Sequence, residues 1–135
     1  MQHWLLVRGR GERRLAPEVV ADELRAHSST RRPAVERGDL AILYAAGWRV
    51  IFAVAEIGGE LEHDPTRRRW GWRFPIRSLV ALDDLRAAPP VQAAGVLPSS
   101  LGRHSYVRLT PEQFELGRAA LHQAGAYASS NNGPR

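Results

Sequence analysis

Residues 40–57, LAILYAAGWRVIFAVAEI, constrain the fold more than any other stretch of this chain. Two runs rich in Ile, Val, Leu, Tyr and Phe meet at Ala46-Gly47, each suited to a strand and too short for a separate helix. Their apolar side chains fall at both parities, so both faces must be covered, as in a closed barrel or a sheet sandwiched by helices. These two strands are therefore expected at the centre of a sheet.

The flanking segments supply the remaining layers. HWLLV, residues 3–7, reads as a first strand closed by a glycine-containing turn. In LAPEVVADELRAH, Pro17 suits a first helical position, and Leu15, Val19, Val20 and Leu24 have helical spacing, so a helix is expected there. GELEHDPTRR is a polar loop. WGWRFPIRSLVAL follows as a strand, with Trp70, Trp72, Phe74 and Ile76 on one face and Arg73 and Arg77 on the other. Pro75 would put that strand at an edge or a bulge. Short helical turns are expected near Asp83–Arg86 and in VQAAGV, then a last strand at about 105–109. Thr110, Pro111 and Gln113 form a capping-box pattern before a C-terminal helix, whose apolar stripe would be Phe114, Leu116 with Gly117, and Leu121. Strands come in a run instead of alternating with helices, which favours an α+β domain around a small mixed barrel. One domain is expected over 1–125, followed by a flexible tail at 126–135.

Composition narrows the chemistry. At 135 residues the chain can bury one core without staples. It has no cysteine, which excludes disulfides, a thiol nucleophile and thiolate metal sites. No apolar run approaches the roughly 20 residues of a spanning helix, and a cytoplasmic location is expected. All 19 basic residues are arginine and the formal charge is +5. Guanidinium forks suit phosphate and base edges, so the surface is compatible with nucleic acid. Arg8, Arg10, Arg67, Arg68 and Arg69 are the candidates for phosphate contact.

No nucleophile elbow, P-loop or HExxH motif is present. Glu60, Glu62, His63 and Asp64 crowd one loop without metal-ligand spacing and read as a solvated hairpin loop. His3, His27, His104 and His122 are scattered, and hydrogen-bonded structural roles are expected for them. The aromatic set carries more information. Tyr44 and Trp48 flank the central turn, while Trp70 and Trp72 are placed on one strand face. Several of these beside an arginine would make a slot for a flat base. As core fillers, Trp72 and Phe74 would instead pack under the C-terminal helix.

HWLLV, RGDLAILY with VIFAVAEI, DPT with WGWRFPIR, and GRHSYVRLTPEQF occur in an order and spacing that resembles the EVE domain family over residues 1–122. EVE domains are PUA-like pseudobarrels related to the YTH and ASCH domains. The resemblance implies a non-catalytic reader, without cofactor or metal, that captures a flipped, modified base of DNA or RNA in an aromatic pocket. By that pattern Trp70 matches a cage tryptophan, Arg103, His104 and Ser105 frame the pocket, and Tyr44 and Trp48 line it. The alternative is a small-molecule or protein-interaction domain using the same pocket. An enzyme acting on nucleic acid is the third reading.

Overall fold

The computed structural model describes residues 1–9, 13–102 and 104–128. Arg10, Arg103 and the end of the expected tail therefore lie outside the described residues. The architecture is an α+β PUA-like pseudobarrel, a curled mixed sheet carrying one long helix. Its strands are β1 (His3–Arg8), β2 (Ala26–Ser29), β3 (Leu40–Ala45), β4 (Val50–Ile57), β5 (Glu62–His63), β6 (Trp72–Ala81), β7 (Tyr106–Leu109) and β8 (Tyr127–Ala128). The sheet runs β2-β6-β4-β3-β1-β7, with β5 and β8 also paired to β6. Only β1 and β3 run parallel among the paired strands described.

The expected central hairpin is β3–β4, and both of its faces are buried. Leu43 and Phe52 pack inside the curl with Trp4, Leu6, Phe74 and Ile76. Ile42 and Ile51 pack outside it with Leu5, Val91, Phe114 and Leu121. The helix α1 (Pro111–Gln123) begins with the expected capping box, Thr110 and Gln113 exchanging side-chain and backbone hydrogen bonds at 3.0 and 3.1 Å. It buries Phe114, Gly117 and Leu121, whereas Leu116 is 54% exposed and leaves the expected stripe. At Gly117 a Cβ would stand 2.4 Å from Ile42 Cδ1, so glycine is what lets the helix axis come this close to the sheet.

Several expectations are corrected. The segment 15–27 is not a helix beyond a 3-10 turn at Ala21–Leu24. Val19 N–H donates to the Asp83 carbonyl at 2.8 Å and Leu85 N–H to the Pro17 carbonyl at 2.7 Å, so bridges to a distant segment hold it extended and override its helical spacing. Ala26–Ser29 then pairs with β6, His27 facing Phe74 across the ladder. β6 is not an edge strand and has no bulge at Pro75. Its pairing with β4 ends at Ile57 and Ile76, and beyond that rung Gly58 N–H needs only the Pro75 carbonyl, 2.9 Å away. Phe74 is core, but inside the curl and not under α1. Trp72 lies at the end of β6 that β4 does not cover; His63 stacks on it at 4.1 Å and the Arg32 guanidinium stands 5.3 Å from its centroid. The sheet also takes in Tyr127 and Ala128, beyond the expected limit at residue 125.

Asp39, in the turn before β3, ties the N-terminus to this frame. Its carboxylate is 3% exposed and accepts from Trp4 Nε1 at 2.9 Å, Gln2 N–H at 3.0 Å and Glu36 N–H at 2.9 Å. Burial pushes its pKa up, but these three donors and the N-terminal charge outweigh it, and the carboxyl is held below its ordinary value. Replacing Asp39 with asparagine turns an amide donor toward one of those donors. The expected loss is about 2 kcal/mol, read as a lower urea midpoint at unchanged slope; an unchanged midpoint would show that the three bonds contribute nothing net.

Candidate nucleic-acid pocket at the barrel seam

The outermost strands of the sheet, β2 and β7, are not joined by a ladder. Side chains close the seam instead. Arg8 ends β1 at the same parity as Trp4 and Leu6, and its guanidinium reaches across the mouth of the curl. Nε donates to His27 Nδ1 at 2.9 Å, Nη1 to the Glu23 carbonyl and carboxylate at 2.7 and 3.0 Å, and Nη2 to the Ala26 carbonyl. His27 Nε2 lies 2.8 Å from the Ser105 carbonyl, which also accepts from Val7 N–H at 2.9 Å. A carbonyl only accepts and an arginine only donates, so His27 is the neutral tautomer with its proton on Nε2. Burial and, secondarily, the Arg8 charge push its pKa down to about 3, against the Ser105 bond. Desolvation likewise lowers Arg8 more than Glu23 raises it.

Over this seam opens a cleft of about 580 Å³, bordered by Arg8, Arg13, His27, Arg67, Arg69, Trp70 and Ser105, with Val7, Gly9, Ala26 and Ser28. Among the described residues no carboxylate borders it. Trp70 belongs to the β5–β6 hairpin loop and not to the strand face on which it was expected. Its φ is +53°, a left-handed conformation that costs a bulky side chain about 1–3 kcal/mol. Its backbone N–H donates to Thr30 Oγ1 at 3.2 Å. The loop is pinned beside it: Asp64 N–H donates to the Gly71 carbonyl at 2.8 Å, and Asp64 Oδ1 accepts from Thr66 N–H and hydroxyl at 3.0 and 2.6 Å. A Cβ on Gly71 would stand 3.0 Å from the Asp64 carbonyl, so glycine allows that close closure. The Arg13 guanidinium sits over the Trp70 ring, 3.9 Å from its centroid.

Of the residues singled out in the sequence, Trp70, Ser105, Arg67, Arg69 and Arg8 come together here. Arg8 is the floor and not a phosphate contact, because all three of its nitrogens are engaged within the protein. Tyr44 and Trp48 are not brought to this cleft. Tyr44 points outward from the curl and borders a separate cleft. Trp48 packs against the barrel core, donates from Nε1 to the Leu15 carbonyl at 2.8 Å, and is covered by Arg14. His104 and Arg68 are exposed and do not border it. Arg13 and His27 were not identified as site residues. Nothing local marks either one, since His27 acquires its role from Arg8 and Ser105, each distant in sequence. Of the loop acids Asp64 accepts turn hydrogen bonds from Thr66, and no cluster of His, Asp or Glu suited to a metal occurs among the described residues.

No protein-family model matches the chain, and no curated protein matches it. Solved structures do. Rpa0253 from Rhodopseudomonas palustris superposes with a TM-score of 0.57 at 19% identity, covering 91% of this chain and 94% of that one. The human THYN1 protein, solved in complex with 5-methylcytosine-containing DNA, gives 0.56 at 14% identity over 93% and 98%. Atu2648 from Agrobacterium tumefaciens gives 0.51 at 17% identity over the whole of both chains. At these identities the likeness is one of fold, and the fold shared with THYN1 is the PUA-like pseudobarrel.

Proposed function

We propose that this protein is a nucleic-acid reader of the EVE type, non-catalytic, which holds one flipped nucleobase, modified bases included, in the seam cleft against Trp70. The observation that carries the reading is the strained Trp70, set into a concave cleft that, among the described residues, arginines border and no carboxylate does. Strain of this kind persists where the surroundings enforce it, and it is concentrated at functional sites. THYN1, with the same fold, has been solved on methylated DNA, which supports DNA as the polymer class, with RNA as the second candidate.

In this reading a base stacks on the Trp70 face that Arg13 now covers, and the displaced guanidinium turns to a phosphate. One cation–π contact is exchanged for a stack plus a charge-assisted hydrogen bond. Arg67 and Arg69, which form no ion pair among the described residues, add the salt-dependent phosphate contacts. The lower floor is polar but saturated by the Arg8 and His27 bonds, so it shapes the pocket without competing for the base.

Fluorescence anisotropy with DNA and RNA oligonucleotides, with and without a modified cytosine, tests this. Binding is expected to weaken steadily with salt. Trp70→Ala is expected to lose about 1–3 kcal/mol, roughly 5- to 150-fold in Kd, at an unchanged melting temperature. Equal affinity of variant and wild type would remove Trp70 from the site. Thermal stabilisation by a metabolite with no oligonucleotide response would replace the reading by a small-molecule one.

A further inference from the structure

The second cleft, about 580 Å³ as well, lies beyond the end of β1 on the outer side of the sheet, where Tyr44 opens onto it. Val7 borders both clefts; Leu101 and Gly102 border this one, and Ser105 of the same connection borders the other. The two are therefore neighbours across one wall of chain.

Tyr44 is 3% exposed, yet its hydroxyl has no hydrogen-bond partner among the described residues and is not sealed from the cleft. The ring is fixed by burial while the hydroxyl, facing the cleft, is left to bond whatever enters it. Burial raises its pKa, and the positive charge of Arg49 draws it back, so the guanidinium acts on the hydroxyl. Arg49 itself is a non-glycine residue at φ +59°. Its backbone is clamped, N–H to the Ala45 carbonyl at 2.8 Å and carbonyl from Val91 N–H at 3.0 Å, while its side chain forms no ion pair among the described residues. A strained, fixed backbone here presents an unneutralised cation. The other polar side chains on the lining, Gln92 and Ser99, can donate as well, and none of its described residues is acidic.

We propose that this cleft is a second subsite, for the phosphate of a nucleotide unit, with Arg49 as the charge and the Tyr44 hydroxyl as a donor held in place by its buried ring. An anion is favoured because the described lining carries one cation, no acid, and side chains able to donate. The volume is in the range of small-molecule sites, large enough for a sugar and base behind the phosphate. The inference rests on the reader function in one respect: the unit is the one flanking the base held against Trp70. A free mononucleotide carries the same chemistry, and the test separates the two sources.

The isotope-labelled full chain is titrated with a deoxynucleoside monophosphate and, separately, with an oligonucleotide, while the amides of Gly47, Arg49 and Gly102 are followed by NMR. Arg49→Asn preserves the left-handed turn, because asparagine tolerates it. Tyr44→Phe removes only the hydroxyl and is expected to leave the melting temperature the same or higher. If the flanking phosphate is the ligand, those amides shift with the oligonucleotide, Arg49→Asn lowers the slope of log K against log salt by about one, and Tyr44→Phe weakens binding by a few-fold. If a free nucleotide is the ligand, the same amides saturate with the monophosphate, even in Trp70→Ala and even where oligonucleotides do not bind; the reader function then fails while the subsite stands. Oligonucleotide binding that depends on Trp70, with no shift at these amides and no change in Arg49→Asn or Tyr44→Phe, overturns the subsite and leaves the reader function intact. Silence toward both ligands overturns both.

Discussion

Arg8→Ala is expected to destabilise the fold by about 3–5 kcal/mol. The side chain is 11% exposed and its donors serve Glu23, Ala26 and His27. Removing it leaves the Glu23 carboxylate without its cation, and the Ala26 carbonyl and His27 Nδ1 without their donor, at the one place where β2 and the end of β1 are held together by a side chain. Arg8→Lys keeps the charge but not the fork, and a single ammonium cannot serve these four acceptors in their directions. Lysine is therefore expected to recover a minor part of the loss. Chemical denaturation of the three proteins decides the matter. If the alanine variant keeps wild-type stability and instead lowers the salt dependence of oligonucleotide binding, Arg8 is a phosphate contact and the seam is held by something else.

Acid is expected to open the same seam through His27. The folded pKa of about 3 lies below the ordinary 6.5, so the unfolded chain binds the extra proton throughout that window. Stability conferred by the neutral imidazole is thus complete above about pH 6.5 and falls as the pH is lowered toward 3, by up to about 1.4 kcal/mol per unit. Asp39, also held below its ordinary value, adds its own loss only at the acid end, below about 3.8. Denaturant midpoints at pH 7, 6, 5 and 4 should therefore decline in the wild type and stay nearly level in His27→Gln. Since the Arg8 charge is the second cause of the depressed pKa, Arg8→Lys should leave the window in place and Arg8→Ala should narrow it by raising its lower limit. A wild-type midpoint that does not change between pH 7 and 4 would contradict a buried neutral histidine.

How far the sequence could be read depended on the range of the interaction. The β3–β4 hairpin, the two-sided burial of its strands and the capping box of α1 are local patterns, and each is present as expected. The segment 15–27 was misread because its apolar spacing is compatible with a helix, while the bonds that decide it come from residues 83–85. Tyr44 shows the same limit at the site. Alternation along β3 separates it from Leu43, but only the position of β1 and of residues 97–102 determines that its face opens on the second cleft. Trp70 borders the seam cleft from a loop, not from the strand face that alternation predicts. The three arginines before it are legible as a basic loop; the positive φ that turns the ring is not, because nothing in a tryptophan invites it.

A barrel whose last join is made by side chains has a built-in line of weakness. Between β2 and β7 no rung of backbone amides has to break for the wall to part; a few contacts among Arg8, His27, Ser105 and the Tyr106 hydroxyl, 3.3 Å from the Arg32 carbonyl, suffice. Amide hydrogen exchange should accordingly be fastest along these two strands and slowest in β3 and β4, with the fast edge coinciding with the pocket. The width of the opening is then set by side-chain reach and not by the register of a ladder.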